Sequence, residues 1–375
     1  MRILMAGGGT GGHFYPALAV LEELRRTYKE AKLAYIGTRR GIEGKIMPSY
    51  PAIPFYPIHV RGLERHHLLQ NMGSFLLLFI ALVETFFILI RFRPHVIIGM
   101  GGYASFPAVF LGSLLGRFLP MRTVIHEQNV VAGLANRALA PLVDKVLVSY
   151  SESKHCFQKA KCVVVTGNPI RKEFLLAKRS ETLYQEFGLN PKRQTVLVFG
   201  GSHGSTALTT AIHRAIDTIA RNEDIQVLLV TGSAEEEERI RGDLIRTGVS
   251  NVVVRHYLNR MGDAFALADL IVCRAGATTV AEITSCGKPA VLIPWGAATD
   301  GHQWENARYL KKQEACRLAE EKDIAKQNIA RLIEPIVNDR DRLSQMASNS
   351  LRLGQRRATT VMMGEIVALA REART

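Results

Sequence analysis

The sequence predicts an α/β protein made of two Rossmann-like, doubly wound halves, and three observations predict it. Apolar runs of strand length alternate with helical segments along the whole chain, the mark of βαβ units and parallel sheets. Residues 1–5 form a short apolar run that breaks into Ala6-Gly7-Gly8-Gly9-Thr10-Gly11-Gly12-His13 ahead of a helical pattern. Residues 195–199 repeat the move, breaking into Gly200-Gly201-Ser202-His203-Gly204-Ser205. With 375 residues, 47% hydrophobic and 22% charged, the chain can fill two ordinary cores.

Taken in order, the first half reads as strands at 3–5, 33–36, 96–98, 123–126, 145–148 and 163–165. The second half reads as strands at 196–199, 227–230, 252–254, 270–273 and 290–293. Thr166-Gly167-Asn168-Pro169 punctuates the series, because Gly, Asn and Pro favour turns. This sets domains at 1–165 and 166–345. From about residue 323 the chain reads as charged helix, and 346–375 is expected as a helical tail able to pack back on the first domain. The acidic run 234–238 reads as a solvated helix start.

Residues 75–90 are almost wholly apolar and aromatic, broken by Glu84 and Thr85 and followed by Arg91 and Arg93. The run is shorter than the ~20 residues of a spanning helix. It reads either as a buried core helix or as a helix lying on a membrane surface. In the second case Arg61, Arg65, Arg91 and Arg93 would meet anionic headgroups. A net charge of +14 favours anionic partners and tilts the reading toward the membrane. The five cysteines form no CxxC pair and read as reduced residues of a cytosolic protein. No basic leader with a cleavage site precedes the first strand, so no secretory signal is expected.

The strand-end loops carry the chemistry. A strand, a glycine turn and a helix N-terminus together form an anion site, since backbone N–H groups and the helix dipole face it. The first loop formally contains GxGxxG, but the second strand ends Ile36-Gly37-Thr38-Arg39, without the acid a ribose needs. That weakens an NAD site and leaves an NADP site on Arg39 or Arg40 as a rival. His13 sits at a helix start, where the dipole disfavours imidazolium, so it reads as a neutral base beside an anion loop as well as a simple cap. Gly99-Met100-Gly101-Gly102-Tyr103-Ala104-Ser105 reads as a tight turn or a second diphosphate cradle. His126-Glu127-Gln128-Asn129 puts four hydrogen-bonding side chains at a strand end, suited to sugar hydroxyls. Arg171 reads as a surface charge or a phosphate clamp. Glu282 reads as a helix-start acid or a ribose ligand, and Gln303 follows the last predicted strand.

Seven strings in order, GGGTGGHFYPALA, GMGGYASFPA, HEQNVVAGLANR, GNPIR, GGSHGS, RAGATTVAE and DGHQWENA, closely resemble the MurG family of bacterial glycosyltransferases. The resemblance runs from Met1 to beyond Asn306. It implies a GT-B fold, with a nucleotide-sugar bound mainly by the C-terminal domain and a lipid acceptor by the N-terminal one. It implies inverting transfer of N-acetylglucosamine from its UDP donor to the C4 hydroxyl of a lipid-linked muramoyl-pentapeptide. By motif, His13 is implied as the base, and Thr10, Gly11, Gly12 and Asn129 as donor-sugar and diphosphate contacts. Arg171 and Ser202 would hold the phosphates, and Leu258 would pack near uracil. Ala277, Thr278, Thr279, Val280 and Ala281 would line the nucleotide, with Glu282 on the ribose and Gln303 on the sugar. Gly101, Gly102, Tyr103, Ser105 and Glu127 would meet the acceptor.

Two positions depart from the family pattern: His203 and Ser205 stand where glutamine and alanine are common. No metal or other cofactor is expected beyond the donor itself. Expected partners are the donor, the lipid-linked acceptor, an anionic membrane surface on the cytoplasmic face and other cell-wall synthesis proteins, and not nucleic acid. The rivals are a UDP-sugar epimerase, a glycolipid synthase, a non-catalytic nucleotide-sugar sensor and, weakest, the NADP oxidoreductase.

Overall fold

The structure, a computed structural model, describes residues 1–62, 71–201, 204–296, 298 and 301–373. The chain forms two compact units, Met1–Ile170 with Arg357–Thr375, and Arg171–Arg356. Among the described residues the first unit holds strands β1 (Arg2–Ala6), β2 (Lys32–Gly37), β3 (Phe55–Pro57), β4 (Val96–Gly99), β5 (Arg122–Glu127), β6 (Lys145–Val148) and β7 (Val163–Val165). They make one parallel sheet in the order β3-β2-β1-β4-β5-β6-β7. The second unit holds β8 (Gln194–Phe199), β9 (Ile225–Val230), β10 (Val252–Arg255), β11 (Leu270–Cys273), β12 (Ala290–Leu292) and β13 (Cys316–Leu318). Its order, β10-β9-β8-β11-β12-β13, is again all parallel. Each sheet starts in its middle and winds outward to both sides, so the ends of its strands and the loops after them share one edge.

The inner strands of each sheet are buried on both faces and therefore read as continuous apolar runs, whereas the edge strands β3, β7 and β10 are partly exposed. In β1, Ile3 and Met5 join the core under the helices Gly11–Thr27 and Ala358–Glu372, while Leu4 and Ala6 join the core on the opposite face. In β8, Val196 and Val198 anchor the principal core of the second unit. Two strands escaped the sequence reading, β3 and β13. Both are three-residue edge strands, too short to show a period, and β3 ends in proline.

The chain after residue 323 is helical, in Ala330–Val337, Arg340–Leu353 and Ala358–Glu372. The tail boundary expected at 346 falls inside Arg340–Leu353, which packs on the helix Ala277–Cys286 of the second unit. The return to the first unit begins at Arg357, and Ala358–Glu372 lies against the helix Gly11–Thr27.

The apolar run is the helix Asn71–Phe92, and 20 of its residues are apolar enough, by length and composition, to cross a membrane. The buried core-helix reading does not hold. Ser74, Ala81, Thr85 and Leu89 face inward, but Phe75, Leu76, Phe79 and Phe87 are each more than half exposed. Glu84, which breaks the run, accepts hydrogen bonds from the backbone and ring of His59. The helix packs on Ser105–Leu115, at whose end Leu114 and Phe118 are also exposed. Arg61, Arg91, Arg93 and Arg117 are exposed near these segments in sequence, and Arg65 lies outside the described residues.

Candidate functional site

In the first unit, β1 delivers Gly7-Gly8-Gly9 into the helix Gly11–Thr27, with Gly8 and Gly9 at φ 145° and 85°, which side-chain-bearing residues rarely adopt. The loop is held by Glu43, a fully buried carboxylate. Its oxygens accept from Gly9 N–H at 3.1 Å, from Thr38 N–H at 2.8 Å and from the Thr38 hydroxyl at 2.8 Å. An acid does therefore follow the second strand, but its oxygens face backbone donors and not a ribose. Thr10, exposed, is the N-cap position and Gly11 and Gly12 the first helical residues. Removing the carboxylate with Glu43→Ala is expected to cost about 1–3 kcal/mol, because the part-buried N–H groups of Gly9 and Thr38 lose their charged partner. Chemical denaturation would check this, with an unchanged midpoint counting against the role.

His13, half-buried on the first turn, approaches Gln128, its Nδ1 lying 3.3 Å from Gln128 Oε1. Gln128 Nε2 donates to Met100 O at 2.7 Å and to His126 Nδ1 at 3.1 Å. His126 Nε2 in turn lies 3.0 Å from Gly167 O. Burial pushes the His126 imidazole down to about 4, against the opposing pull of the Gly167 carbonyl and Glu127. The loop after β4 packs against this group. A Cβ on Gly101 (φ 90°) would come within 2.7 Å of His13 Nδ1, and one on Gly102 (φ 77°) within 2.3 Å of Gly8 O.

Tyr103 beside them is exposed. Ser105 differs from expectation: it is fully buried and its hydroxyl donates to Gly102 O at 2.8 Å, so it shapes the turn. Glu127 differs likewise. Its oxygens accept from Asn129 N and Nδ2, from Gly133 N and from Asn136 Nδ2, all at about 3 Å. That places Glu127 as the support that orients Asn129, with its lone pairs turned inward.

In the second unit Ser202 and His203 lie outside the described residues. Around them Gly201 and Gly204 have positive φ, and a Cβ on Gly204 would strike Thr231 O at 2.4 Å. Ser205, one of the departures from the family pattern, caps the helix Thr206–Ala220 by accepting from Leu208 N. The acidic run is not wholly solvated. Glu237 is buried and accepts from His256 N at 2.7 Å and faces His256 Nδ1 at 2.6 Å. This fixes the loop that carries Leu258. Burial opposes ionisation of Glu237, but the His256 hydrogen bonds and Arg241 win, and its carboxyl lies below the usual range.

The helix Ala277–Cys286 starts at Gly276, with Ala277, Thr278, Val280 and Ala281 buried and Thr279 half-buried. Glu282 lies in its second turn, buried, 3.6 Å from Arg171 Nη2, so the helix-start reading fails. Arg171 Nη1 is also 3.0 Å from Glu173, so one guanidinium serves two carboxylates. Burial pushes Glu282 up to about 7, with Glu173 adding and Arg171 opposing. After β12, Gln303 accepts from Trp295 N at 2.9 Å, which turns its amide nitrogen away from that contact.

Each unit thus gathers its expected residues at one sheet edge. In the first, Thr10, His13, Gly101, Gly102 and Asn129 follow the ends of β1, β4 and β5, with His13 against Gly101; in the second, Leu258, residues 277–282 and Gln303 follow β10, β11 and β12, and Arg171 pairs with Glu282. Sequence reasoning assigned no part to Glu43, read Gln128 only as one of four side chains suited to sugar hydroxyls, and read Glu237 as part of a solvated helix start. Gln128 was visible inside the HEQN string, whereas nothing local marked the two acids. Among the described residues no group of three or more His, Cys, Asp or Glu side chains is arranged to hold a metal ion.

Comparison with known proteins gives concordant results. Residues 3–148 match the glycosyltransferase family 28 N-terminal domain and residues 195–362 its C-terminal domain. The chain is 36% identical, over 95% of both chains, to the UDP-N-acetylglucosamine–N-acetylmuramyl-(pentapeptide) pyrophosphoryl-undecaprenol N-acetylglucosamine transferase of Desulforamulus reducens. It is similar in structure to MurG of Acinetobacter baumannii, with a TM-score of 0.72 and 27% identity, covering 98% of this chain and 99% of that one. The UDP-GlcNAc 2-epimerase of Neisseria meningitidis, at 13% identity and TM-score 0.69 over 98% and 100%, shares the fold alone.

Proposed function

The chain belongs to the family 28 glycosyltransferases that act as UDP-N-acetylglucosamine–N-acetylmuramyl-(pentapeptide) pyrophosphoryl-undecaprenol N-acetylglucosamine transferases, and on that premise we propose the following reaction. It transfers N-acetylglucosamine from its UDP donor to the C4 hydroxyl of the lipid-linked muramoyl-pentapeptide, inverting the anomeric carbon. The near-full-length likeness to a named transferase carries this reading over the epimerase. His13 takes the hydroxyl proton as the new O–C1 bond forms and the C1–O bond to the diphosphate breaks, and UDP leaves with the electron pair. Arg171 and the N–H groups at the glycine-loop helix starts stabilise the leaving diphosphate, so no metal cofactor is needed. Glu282 accepts from the ribose hydroxyls, Leu258 packs on the base, and Gln303 and Asn129 read the sugar. Gly101, Gly102 and Tyr103 take the acceptor diphosphate.

The test is transfer of labelled N-acetylglucosamine to a short-chain acceptor analogue, with and without a chelator. Lipid-linked disaccharide in both is expected. Release of free 2-epimer, or tight donor binding with no lipid product, would sink the reading.

The protein works at the cytoplasmic face of the membrane as a peripheral enzyme. What supports this is the exposed row of Phe75, Phe79 and Phe87 on an apolar helix followed by Arg91 and Arg93. Burying each phenylalanine in lipid is worth about 1.5–3 kcal/mol, and each basic residue near anionic headgroups about 1 kcal/mol. The double change Phe79→Glu/Phe87→Glu is expected to weaken binding to phosphatidylglycerol vesicles at least tenfold, leaving turnover of a soluble acceptor analogue intact. Equal vesicle binding by both proteins would refute the assignment.

A further inference from the structure

We propose that Gln128 is a positioning residue that holds His13 in the tautomer protonated at Nδ1, leaving the lone pair at Nε2 to take the acceptor proton. The part played by His13 rests on the transferase reading above. The tautomer rests on geometry alone.

Met100 O can only accept, and it lies 2.7 Å from one end of the Gln128 amide, so that end is the nitrogen. The same nitrogen donates its second hydrogen to His126 Nδ1. His126 then carries its proton at Nε2, which donates to Gly167 O. The amide oxygen is thereby left toward His13 Nδ1, and an oxygen without a proton requires N–H opposite it. Four groups in a row have one consistent assignment of hydrogens.

Burial makes the assignment binding. Gln128 is 1% exposed and His126 fully buried, so water cannot exchange for either partner or let the amide turn over. Gly101 supplies a second, independent observation. A side chain there would overlap His13 Nδ1 and Cε1, so only glycine leaves the ring seated against the amide oxygen. The arrangement matches the general rule that the hydrogen bond at one imidazole nitrogen decides which nitrogen is the base.

The experiment is ¹⁵N NMR of the His13 ring at alkaline pH, where it is neutral, together with steady-state kinetics, in wild type, Gln128→Met and Gln128→Glu. Wild type should carry its proton at Nδ1. Gln128→Met should move the proton to Nε2 and lower kcat by roughly 10²- to 10⁴-fold, the range seen when a general base is lost or held in the wrong tautomer. KM for the donor should stay within about twofold, since differential loss in the chemical step leaves ground-state binding untouched. Gln128→Glu keeps an oxygen opposite Nδ1 and, with its proton on the oxygen that faces Met100 O, should keep the wild-type tautomer.

A wild-type ring protonated at Nε2 would overturn the proposal, and that spectrum decides even where Gln128→Met fails to fold. So would a Gln128→Met enzyme with unchanged tautomer and kcat. A wild type that shows the Nδ1 tautomer but makes no lipid product would count against the transferase reading, while the tautomer swap in Gln128→Met would still support the relay.

Discussion

Replacing His13 with alanine is expected to lower kcat for transfer by roughly 10²- to 10⁴-fold while leaving the dissociation constant for the UDP donor within about twofold. The magnitude is that of one general base, because a muramoyl hydroxyl at neutral pH is a poor nucleophile until its proton has somewhere to go. The split between kcat and binding follows from where the residue stands. His13 sits on the helix that follows the first unit's glycine loop, against Gly101 and Gln128, whereas the residues assigned to the ribose and base, Glu282 and Leu258, lie in the second unit. The loop itself is held by Glu43 through Gly9, so truncating His13 removes a proton acceptor and leaves that support in place. His13→Asn serves as a second variant that fills similar volume without a proton-accepting nitrogen. A fall in kcat of less than tenfold in both would remove His13 from the chemistry. Equal losses in kcat and in donor affinity would make it a binding residue.

The parts of this molecule that were legible in sequence are those where one physical cause acts over a short stretch. A parallel strand buried on both faces must be apolar from end to end, and nine of the eleven strands found in the sequence are of this kind, β7 and β10 being partly exposed edge strands. The glycine loops were equally legible, since positive φ at Gly9, Gly101 and Gly201 leaves little choice of residue. What stayed hidden depends on distance along the chain. Glu43 reaches back 34 residues to Gly9, and Glu237 forward 19 to His256. Both look like ordinary helix acids until the sheet brings their partners to them. Glu127 and Ser105 show the converse. Their motifs advertise polar contact, but each satisfies its own turn first, because a buried carboxylate or hydroxyl must find partners before any ligand arrives. The polar strings marked the strand-end loops, and tertiary burial divided their residues between those left accessible and those that hold the others.

Glu282 carries the second large expectation, in which stability and binding move in opposite directions. Its folded-state carboxyl is pushed up to about 7 against an ordinary value near 4.5, first because it is buried and also because Glu173 lies beside it on the same Arg171 guanidinium. Between those two values the folded chain holds a proton that the unfolded chain has released. Stability from this group is therefore full below about 4.5 and lost as pH rises through about 7. Glu282→Gln is always neutral, so at pH 8 it should be more stable than wild type by up to ~3 kcal/mol, with the gap closing by pH 5. Donor affinity should go the other way. Ribose hydroxyls donate better to a carboxylate than to an amide, so Glu282→Gln should bind UDP roughly 10- to 100-fold more weakly at pH 8. Wild-type affinity should fall about tenfold per unit below pH 7, because the proton must leave before the ribose can bind, while the variant's affinity stays flat. Calorimetry in two buffers of different ionisation enthalpy would register that released proton near pH 6. A wild type that binds UDP with no proton release there, or a variant less stable than wild type at pH 8, would show that Glu282 is already ionised and held by Arg171.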